Sequence, residues 1–398
     1  MNRPSHVCIL TSAHPLDDVR VSSKIASSFL DRGFTVSWVG PDLSFFKRRS
    51  DLDPRIDYHL TEHGSTKLDR LLSARRVVRK AAEVRGVDWY YCPDPDAAGA
   101  AVGLARRTGA RVVFDIHEVY HGARLNRWLP GPTAEPVREL VRRRIAATCR
   151  RSDLVIGVSG SVLAPYVTDE KPGVPVRNCA PRWFEEFAER TDGRRAEGIT
   201  FMHGKALPSN GTSVVLDAAA LLDATALLDP TALRDDTTDG TRVLMFRSGS
   251  QSTQEYQQSL ADRIAALHLT DRVQVHDSVT HERMPDFLAR CDVGVIAYGR
   301  DLGERSLPNR LFEYMAAGLA VLAPSYAVDI KAIVDDEGIG LTADFESPEE
   351  VAEAMRWFGE NRQQTEEMGR LARKAFLERH NWDAEFDRLT EAMGAARP

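Results

Sequence analysis

The chain has 398 residues, more than one hydrophobic core usually supports, and its 43% hydrophobic and 28% charged content is typical of a globular protein. No apolar run is long enough to span a bilayer, and five cysteines without C-x-x-C spacing argue against a zinc site or a disulfide framework. From the length we expect two domains, and from the scattered cysteines a cytoplasmic location. For a formal net charge of −6 at pH 7 we expect no nucleic-acid partner.

Charge is unevenly distributed along the chain. Residues 67–85 hold seven basic and two acidic side chains, and residues 138–151 hold six basic side chains against Glu139. Residues 335–360 show the reverse, with nine acidic side chains against Arg356. The basic segments indicate either an anionic partner, including a peripheral membrane contact, or solvated helix faces. The lack of a Trp or Phe face favours solvated helices.

Short apolar runs alternate with helical patterns, which is typical of parallel α/β architecture. In the first half, helices are expected at 19–32 and 97–108, and strands at 6–12, 35–40, 88–92, 111–116 and 153–159. In the second half, strands are expected at 198–204, 243–249, 272–276, 292–298, 319–324 and 338–343. Residues 178–198, rich in charge and turn residues, predict a linker between domains at 1–177 and 199–380.

This pattern predicts an α/β fold with two doubly wound, Rossmann-like domains, each built on a parallel sheet. Ligands of such sheets bind outside the carboxyl ends of the strands. Two such sheets facing each other would form a cleft, and we expect the ligand site there.

The segment LPNRLFEYMAAG, residues 307–318, combines charged and small residues on one predicted helix. This helix is expected to begin near Pro308, and a free helix N-terminus binds anions. Arg310 and Glu313 are three residues apart and are therefore neighbours on the helix surface. Either they bind a sugar nucleotide, with the cation on the diphosphate and the carboxylate on the ribose, or they form an ordinary surface pair. The spacing alone does not separate these alternatives.

Four polar residues follow the first predicted strand: His14, Asp17, Asp18 and Arg20. Because the carboxyl end of that strand lies at the ligand edge of the sheet, they suit a polyhydroxylated or amine-bearing acceptor. The alternative is that Asp17 or Asp18 caps the helix that begins near Val19.

Two further signals have a structural interpretation. Asp94-Pro95-Asp96 is a D-x-D pattern able to hold a divalent metal, but it opens a predicted helix. We therefore predict Asp96 to be the N-cap of that helix, and we expect no metal. His203 lies on a predicted buried strand and is expected to be a core histidine.

Five segments occur in order along the chain: HPLDDVRVSSKIASSFLDRGFTVSWVG, VVFDIHE, RNCAPRWF, MHGKALPSNGTSVVLDAA and LPNRLFEYMAAGLAVLAPS. Together they resemble the retaining glycosyltransferases of family 4, which have the GT-B fold. The ordered set is far more specific than any one segment. The closing helix of the family resembles the segment HNWDAEFDRLTEAM near the end of the chain. In the family this helix crosses back to the first domain, and it is expected here at 381–398.

The resemblance implies roles for residues of both domains. Glu313 would accept hydrogen bonds from the donor ribose, whereas Lys205 and Arg310 would stabilise the departing nucleotide diphosphate. His117, with Asp115 and Glu118, would lie beside the sugar and the acceptor. The implied catalytic residues are His117, Lys205 and Arg310, and the implied donor-binding residues are Gly204, Lys205, Asn210, Asn309, Arg310 and Glu313. Neither a metal nor a cofactor is implied.

Three features depart from the family pattern. Arg305 stands eight residues before Glu313, where a second glutamate is common, and Asn210 stands where Lys or Arg is common. The first loop also lacks the paired glycines of many relatives. These departures bear on the diphosphate contacts and leave the expected fold unchanged.

The resemblance therefore implies transfer of a hexose from a nucleotide diphosphate sugar, most often UDP-linked, to a hydroxyl of a small acceptor. Such an acceptor would be a saccharide, an aminocyclitol or a natural-product aglycone. Three alternatives stay open: a membrane-lipid acceptor, a nucleotide-sugar epimerase, and a non-catalytic subunit that binds sugar nucleotides. The basic helices motivate the first of these, and Arg305 and Asn210 motivate the last.

Overall fold

The computed structural model describes residues 3–44, 51–62, 67–120, 134–184, 198–228, 240–248 and 253–396. They form two compact units, one of Met1–Asn178 with Trp382–Pro398 and the other of Cys179–Asn381. Most of the expected linker, at 185–197, lies outside the described residues.

In the described part of the first unit, seven parallel strands form one sheet in the order β3-β2-β1-β4-β5-β6-β7. The strands are β1 His6–Leu10, β2 Thr35–Pro41, β3 Asp57–Thr61, β4 Trp89–Cys92, β5 Arg111–Ile116, β6 Leu154–Gly157 and β7 Val174–Pro175. All five predicted strands are present. The edge strands β3 and β7 were not predicted, because β3 is at most half-buried with three polar residues on one face, and β7 has two residues.

The described α-helices of the first unit are α1 Ser27–Asp31, α2 Lys67–Ala81, α3 Pro95–Thr108, α4 Glu135–Arg151, α5 Gly160–Leu163 and the closing helix, α14 Trp382–Ala395. A π-helix at Val19–Ala26 leads directly into α1, where the sequence predicted one continuous α-helix. The closing helix packs on α1, because Phe386 stacks edge-on against Phe29 with ring centroids 5.0 Å apart.

The second unit contains, in its described residues, a six-stranded parallel sheet in the order β10-β9-β8-β11-β12-β13. Its strands are β8 Thr200–Ala206, β9 Arg242–Arg247, β10 Val273–His276, β11 Val293–Val295, β12 Ala320–Pro324 and β13 Gly340–Ala343. Its α-helices are α6 Thr212–Leu228, α7 Gln254–Ala266, α8 Met284–Leu288, α9 Arg300–Gly303, α10 Asn309–Ala316, α11 Val328–Glu337, α12 Pro348–Glu360 and α13 Arg362–Glu378. Two doubly wound parallel-sheet domains are therefore confirmed.

Both faces of each sheet are buried under helices. In β1, Cys8 and Leu10 enter one hydrophobic cluster, and Val7 and Ile9 enter another on the opposite face. This is why the strands read as continuous apolar runs. All five cysteines are buried free thiols, and no helix in the described ranges is long and apolar enough to cross a bilayer.

Candidate functional site

The strand order defines a candidate ligand edge in each unit. In the second sheet, the order reverses between β8 and β11, and in the first it reverses between β1 and β4. Crevices at such switch points, outside the carboxyl ends of the strands, are the usual ligand sites of doubly wound sheets. Gly204 and Lys205 are close to the end of β8, and Asp94 follows β4.

A bulge near the end of β8 makes room for Arg310. The register of β8 against β9 shifts between Met202 and Gly204, and Gly204 has a φ of +85°. A Cβ atom at Gly204 would lie 3.2 Å from Nη1 of Arg310. Glycine therefore serves two purposes here, because it permits the left-handed backbone and the close approach of the guanidinium.

Arg310 is held by its edge and by its face. Its Nη1 donates a hydrogen bond to the carbonyl oxygen of His203 at 3.2 Å, and its guanidinium carbon lies 4.7 Å from the centre of the Tyr298 ring. Its Nε and Nη2 atoms are buried and have no hydrogen-bond partner among the described residues. A buried cation with unpaired donors is unfavourable by itself, so the position suits an anionic ligand.

The remaining expected donor residues have different environments. Lys205 is exposed, and the Asn210 side chain donates to its carbonyl oxygen at 2.9 Å. Asn309 is half-buried and is the first residue of α10, whereas Pro308, expected inside the first turn, occupies the N-cap position. Arg305, the departure from the family pattern, is exposed.

His203 is the buried core residue that the sequence predicted. Its Nε2 lies 3.0 Å from the hydroxyl of Thr212. Burial, together with the charge of Arg310, lowers the pKa of His203 to about 3. The side chain is therefore neutral at physiological pH and adds no charge to the position beside Arg310.

Glu313 does not pair with Arg310, so the alternative of an Arg–Glu surface pair is wrong. Its Oε1 instead lies 2.9 Å from Nε2 of His281, in the short 3₁₀ turn at His281–Arg283 after β10. Arg310 and Glu313, both on α10, therefore contact different parts of the second unit. Sequence reasoning missed His281, although the residue lies in the loop at the carboxyl end of a strand, where ligand contacts concentrate.

In the first unit, Asp115 is the centre of a buried polar cluster. Arg20 donates two hydrogen bonds to it, each at 3.0 Å, and the hydroxyl of Tyr91 donates a third. His117 lies 2.8 Å from the same carboxylate. Burial alone would raise the pKa of Asp115, but the charges of Arg20 and His117 hold it well below its ordinary value.

Asp94 forms a second carboxylate–histidine pair. It accepts hydrogen bonds from the Thr11 hydroxyl at 2.6 Å and the Ser12 amide at 2.8 Å, and it lies 3.0 Å from Nδ1 of His14. Burial opposes the charge on His14, but Asp94 outweighs it and raises the pKa of His14. The rings of His14 and His117 meet edge to face, with centroids 5.2 Å apart.

Two predictions about helix caps have different outcomes. Asp96 is not an N-cap, because α3 begins at Pro95 with Asp94 in the N-cap position; Asp96 accepts from the Ser12 hydroxyl at 2.6 Å instead. Asp18 is a cap, since its carboxylate accepts from the Val21 amide at 2.7 Å.

The structure thus separates the expected acceptor-side residues. His14 and His117 are adjacent, and Glu118 is half-buried next along the chain. Asp17 is buried, and the Arg20 guanidinium is only 5% exposed and bound to Asp115. Arg20 therefore positions Asp115 and through it His117. The described residues contain no group of three or more His, Cys, Asp or Glu side chains able to hold a metal ion.

Comparison with known families gives the class of protein. Residues 19–169 match the family described as Glycosyltransferase Family 4, and residues 232–391 match the family described as Glycosyl transferase-like. These matches and the two doubly wound domains make the chain a glycosyltransferase of the GT-B fold. The first half carries the family 4 match that its motifs indicated.

Solved structures show the same fold. HepE from Anabaena, in complex with UDP, has a TM-score of 0.71 and 14% identity, covering 98% of this chain and 100% of that chain. A glycosyltransferase from Rickettsia africae has a TM-score of 0.72 and 13% identity, covering 100% of this chain and 99% of the other. Sucrose-phosphate synthase from Thermosynechococcus elongatus has a TM-score of 0.69 and 15% identity, covering 99% and 100%. No curated protein sequence matches the chain.

Proposed function

We propose that the chain is a retaining glycosyltransferase that transfers a hexose from a UDP-sugar to a hydroxyl of a small acceptor. The observation that carries this proposal is the Arg310 guanidinium, whose buried Nε and Nη2 atoms have no partner among the described residues. Guanidinium groups with free donors suit phosphate oxygens in both charge and geometry. The expected acceptors are a saccharide, an aminocyclitol or a natural-product aglycone.

The donor would lie along the carboxyl edge of the second sheet. Arg310 and the exposed Lys205 would bind the diphosphate, with the N-terminus of α10 at Asn309 adding backbone donors. Glu313 would accept the ribose hydroxyls, since an ionised carboxylate offers several acceptor sites. HepE of Anabaena, solved with UDP and with UDP-glucose, supports the choice of a UDP-linked donor.

The proposed reaction requires the protein to stabilise the leaving nucleotide diphosphate. As the bond between the sugar and the diphosphate breaks, negative charge grows on the diphosphate, and the fixed Arg310 guanidinium, together with the exposed Lys205 ammonium, would stabilise it. The acceptor hydroxyl would attack from the same face and release its proton to a phosphate oxygen, which gives retention. His117, oriented by Asp115, would hydrogen-bond the transferred sugar.

The direct test is a mass-spectrometric screen of nucleotide sugars with the purified protein. We expect slow hydrolysis of a UDP-hexose to UDP and free hexose, with the same rate in EDTA because no metal is required. Adding a productive acceptor should give a glycoside with the donor's anomeric configuration, detected by NMR. Binding of the donor with neither hydrolysis nor transfer over a broad acceptor panel would favour the non-catalytic subunit. A changed sugar nucleotide formed without acceptor would favour the epimerase.

A membrane-lipid acceptor is the second candidate, and one surface favours it. On the arginine-rich α4, Val137 is 39% exposed and Leu140 is 50% exposed, about one turn apart. Arg144 and Arg151 are exposed on the same helix. Apolar side chains beside arginines are typical of helices that bind anionic membrane surfaces.

Vesicle co-sedimentation tests the lipid candidate. If it is correct, the protein should bind phosphatidylglycerol vesicles at low salt, lose this binding at high salt, and bind phosphatidylcholine vesicles weakly. Arg144→Glu should lower binding several-fold, because each basic residue near an anionic surface contributes about 1 kcal/mol. Leu140→Ser should also lower it, because the variant removes an exposed apolar side chain that would enter the membrane surface. Arg290→Glu, an exposed position in the second unit, is the matched control. Equal binding by all variants would exclude this surface.

A further inference from the structure

The contact between His281 and Glu313 joins two elements at the ligand edge of the second sheet. Glu313 lies on α10 and His281 in the 3₁₀ turn after β10, and the residues are 32 positions apart in the chain. Their side chains are 15% and 33% exposed, respectively. An ionised carboxylate can only accept hydrogen bonds, so Nε2 of His281 is the donor in this contact.

His281 is itself fixed by aromatic side chains. Its ring lies 5.7 Å from the ring of Trp183 at 86°, and 5.3 Å from the ring of Phe184 at 40°. Phe184 is completely buried in the core of the second unit. The histidine is therefore a rigid donor rather than a mobile surface side chain.

We propose that His281 is a positioning residue for nucleotide recognition, which it achieves by holding the Glu313 carboxylate ready for the ribose hydroxyls. This inference rests on the proposed function. A glutamate side chain free to rotate would lose conformational freedom on binding the ribose, and this loss weakens affinity. With one carboxylate oxygen already held by a fixed imidazole, most of that ordering is complete before the nucleotide arrives.

The inference predicts a defect confined to ligands that carry a ribose. His281→Phe keeps an aromatic ring against Trp183 and Phe184 but removes the donor to Glu313. We expect it to weaken UDP binding about five- to tenfold, the size expected when one long side chain must be ordered on binding. His281→Gln keeps a donor and should bind UDP within about threefold of the wild type. Calorimetric titration with UDP gives these affinities.

Pyrophosphate separates positioning from a general structural role. It contains the diphosphate charge without a ribose, so His281→Phe should bind it as the wild type does. In a Glu313→Ala background, His281→Phe should cause no further loss of UDP affinity, because the carboxylate it positions is absent. Thermal melting of each variant checks that the fold is kept.

The outcomes distinguish the inference from the function on which it rests. A wild-type protein that binds no UDP, GDP, ADP or dTDP would overturn the proposed function and the inference with it. If the wild type binds one of these, that nucleotide is the probe. Wild-type affinity in His281→Phe would then overturn the inference alone. Equal losses for pyrophosphate and nucleotide, or fully additive losses in the double variant, would do the same.

Discussion

Arg310→Ala is expected to lower the rate of donor cleavage about 100- to 1,000-fold, the usual effect of removing one fixed donor from a developing negative charge. The guanidinium is already oriented by the His203 carbonyl and the Tyr298 ring, so little reorganisation is needed when the leaving diphosphate becomes charged. The rate of UDP release from the UDP-hexose that the donor screen identifies is the measurement.

Two further variants test whether the loss of rate comes from the Arg310 guanidinium itself. Arg310→Lys keeps the positive charge but loses the planar fork and the face-on contact with Tyr298, so it should recover only part of the rate. Arg290→Ala removes an exposed arginine elsewhere in the second unit and should cleave the donor as fast as the wild type. Wild-type cleavage by Arg310→Ala, with unchanged melting behaviour, would contradict the assignment of this residue to the diphosphate.

The fold was largely predictable because burial of both sheet faces leaves a strong pattern in the sequence. The runs around Ile9, Val113 and Leu322 are mostly apolar, and each forms an interior strand. The edge strand β3 has no such pattern, since its residues are at most half-buried. The π-helix at Val19–Ala26 depends on tertiary contacts, because Arg20 and Lys24 on it are buried.

The contacts of the candidate site could be predicted only where the residues share one element. Arg310 and Glu313 belong to one short helix, and their spacing alone identified them as neighbours. Their partners could not be identified in this way, because the contacts join distant positions. His281 is 32 residues from Glu313, and Arg20 is 95 residues from Asp115.

The N-cap prediction for Asp96 failed for a related reason. Local spacing allowed either aspartate of the D-x-D pattern to begin the helix. Which aspartate occupies the N-cap position depends on the loop after β1, more than 80 residues away. The Thr11 hydroxyl and the Ser12 amide of this loop bind Asp94, and the Ser12 hydroxyl binds Asp96. Local propensity is therefore overridden by tertiary hydrogen bonds.

Asp115→Asn is expected to destabilise the first unit by about 3–5 kcal/mol, the usual cost of removing one partner of a buried ion pair. The variant keeps the size of the side chain but leaves the Arg20 guanidinium, 5% exposed, without a counter-charge. Replacing both members, as Arg20→Met with Asp115→Asn, should cost less than Asp115→Asn alone, because no buried charge is then left unpaired. Urea denaturation followed by circular dichroism measures these differences.

The Arg20–Asp115 ion pair makes the stability of the fold depend on pH, and the direction of this dependence can be predicted. Arg20 and His117 hold the pKa of Asp115 below its ordinary value despite burial, so the folded chain binds this proton less readily than the unfolded chain does. Its contribution to stability is complete above the unfolded pKa, about 4, and is lost as the pH falls from there toward the folded pKa. The stability gap between the wild type and Asp115→Asn should therefore be narrower at pH 3 than at pH 5. A gap that widens between pH 5 and pH 3 would show that Arg20 does not stabilise the ionised carboxylate.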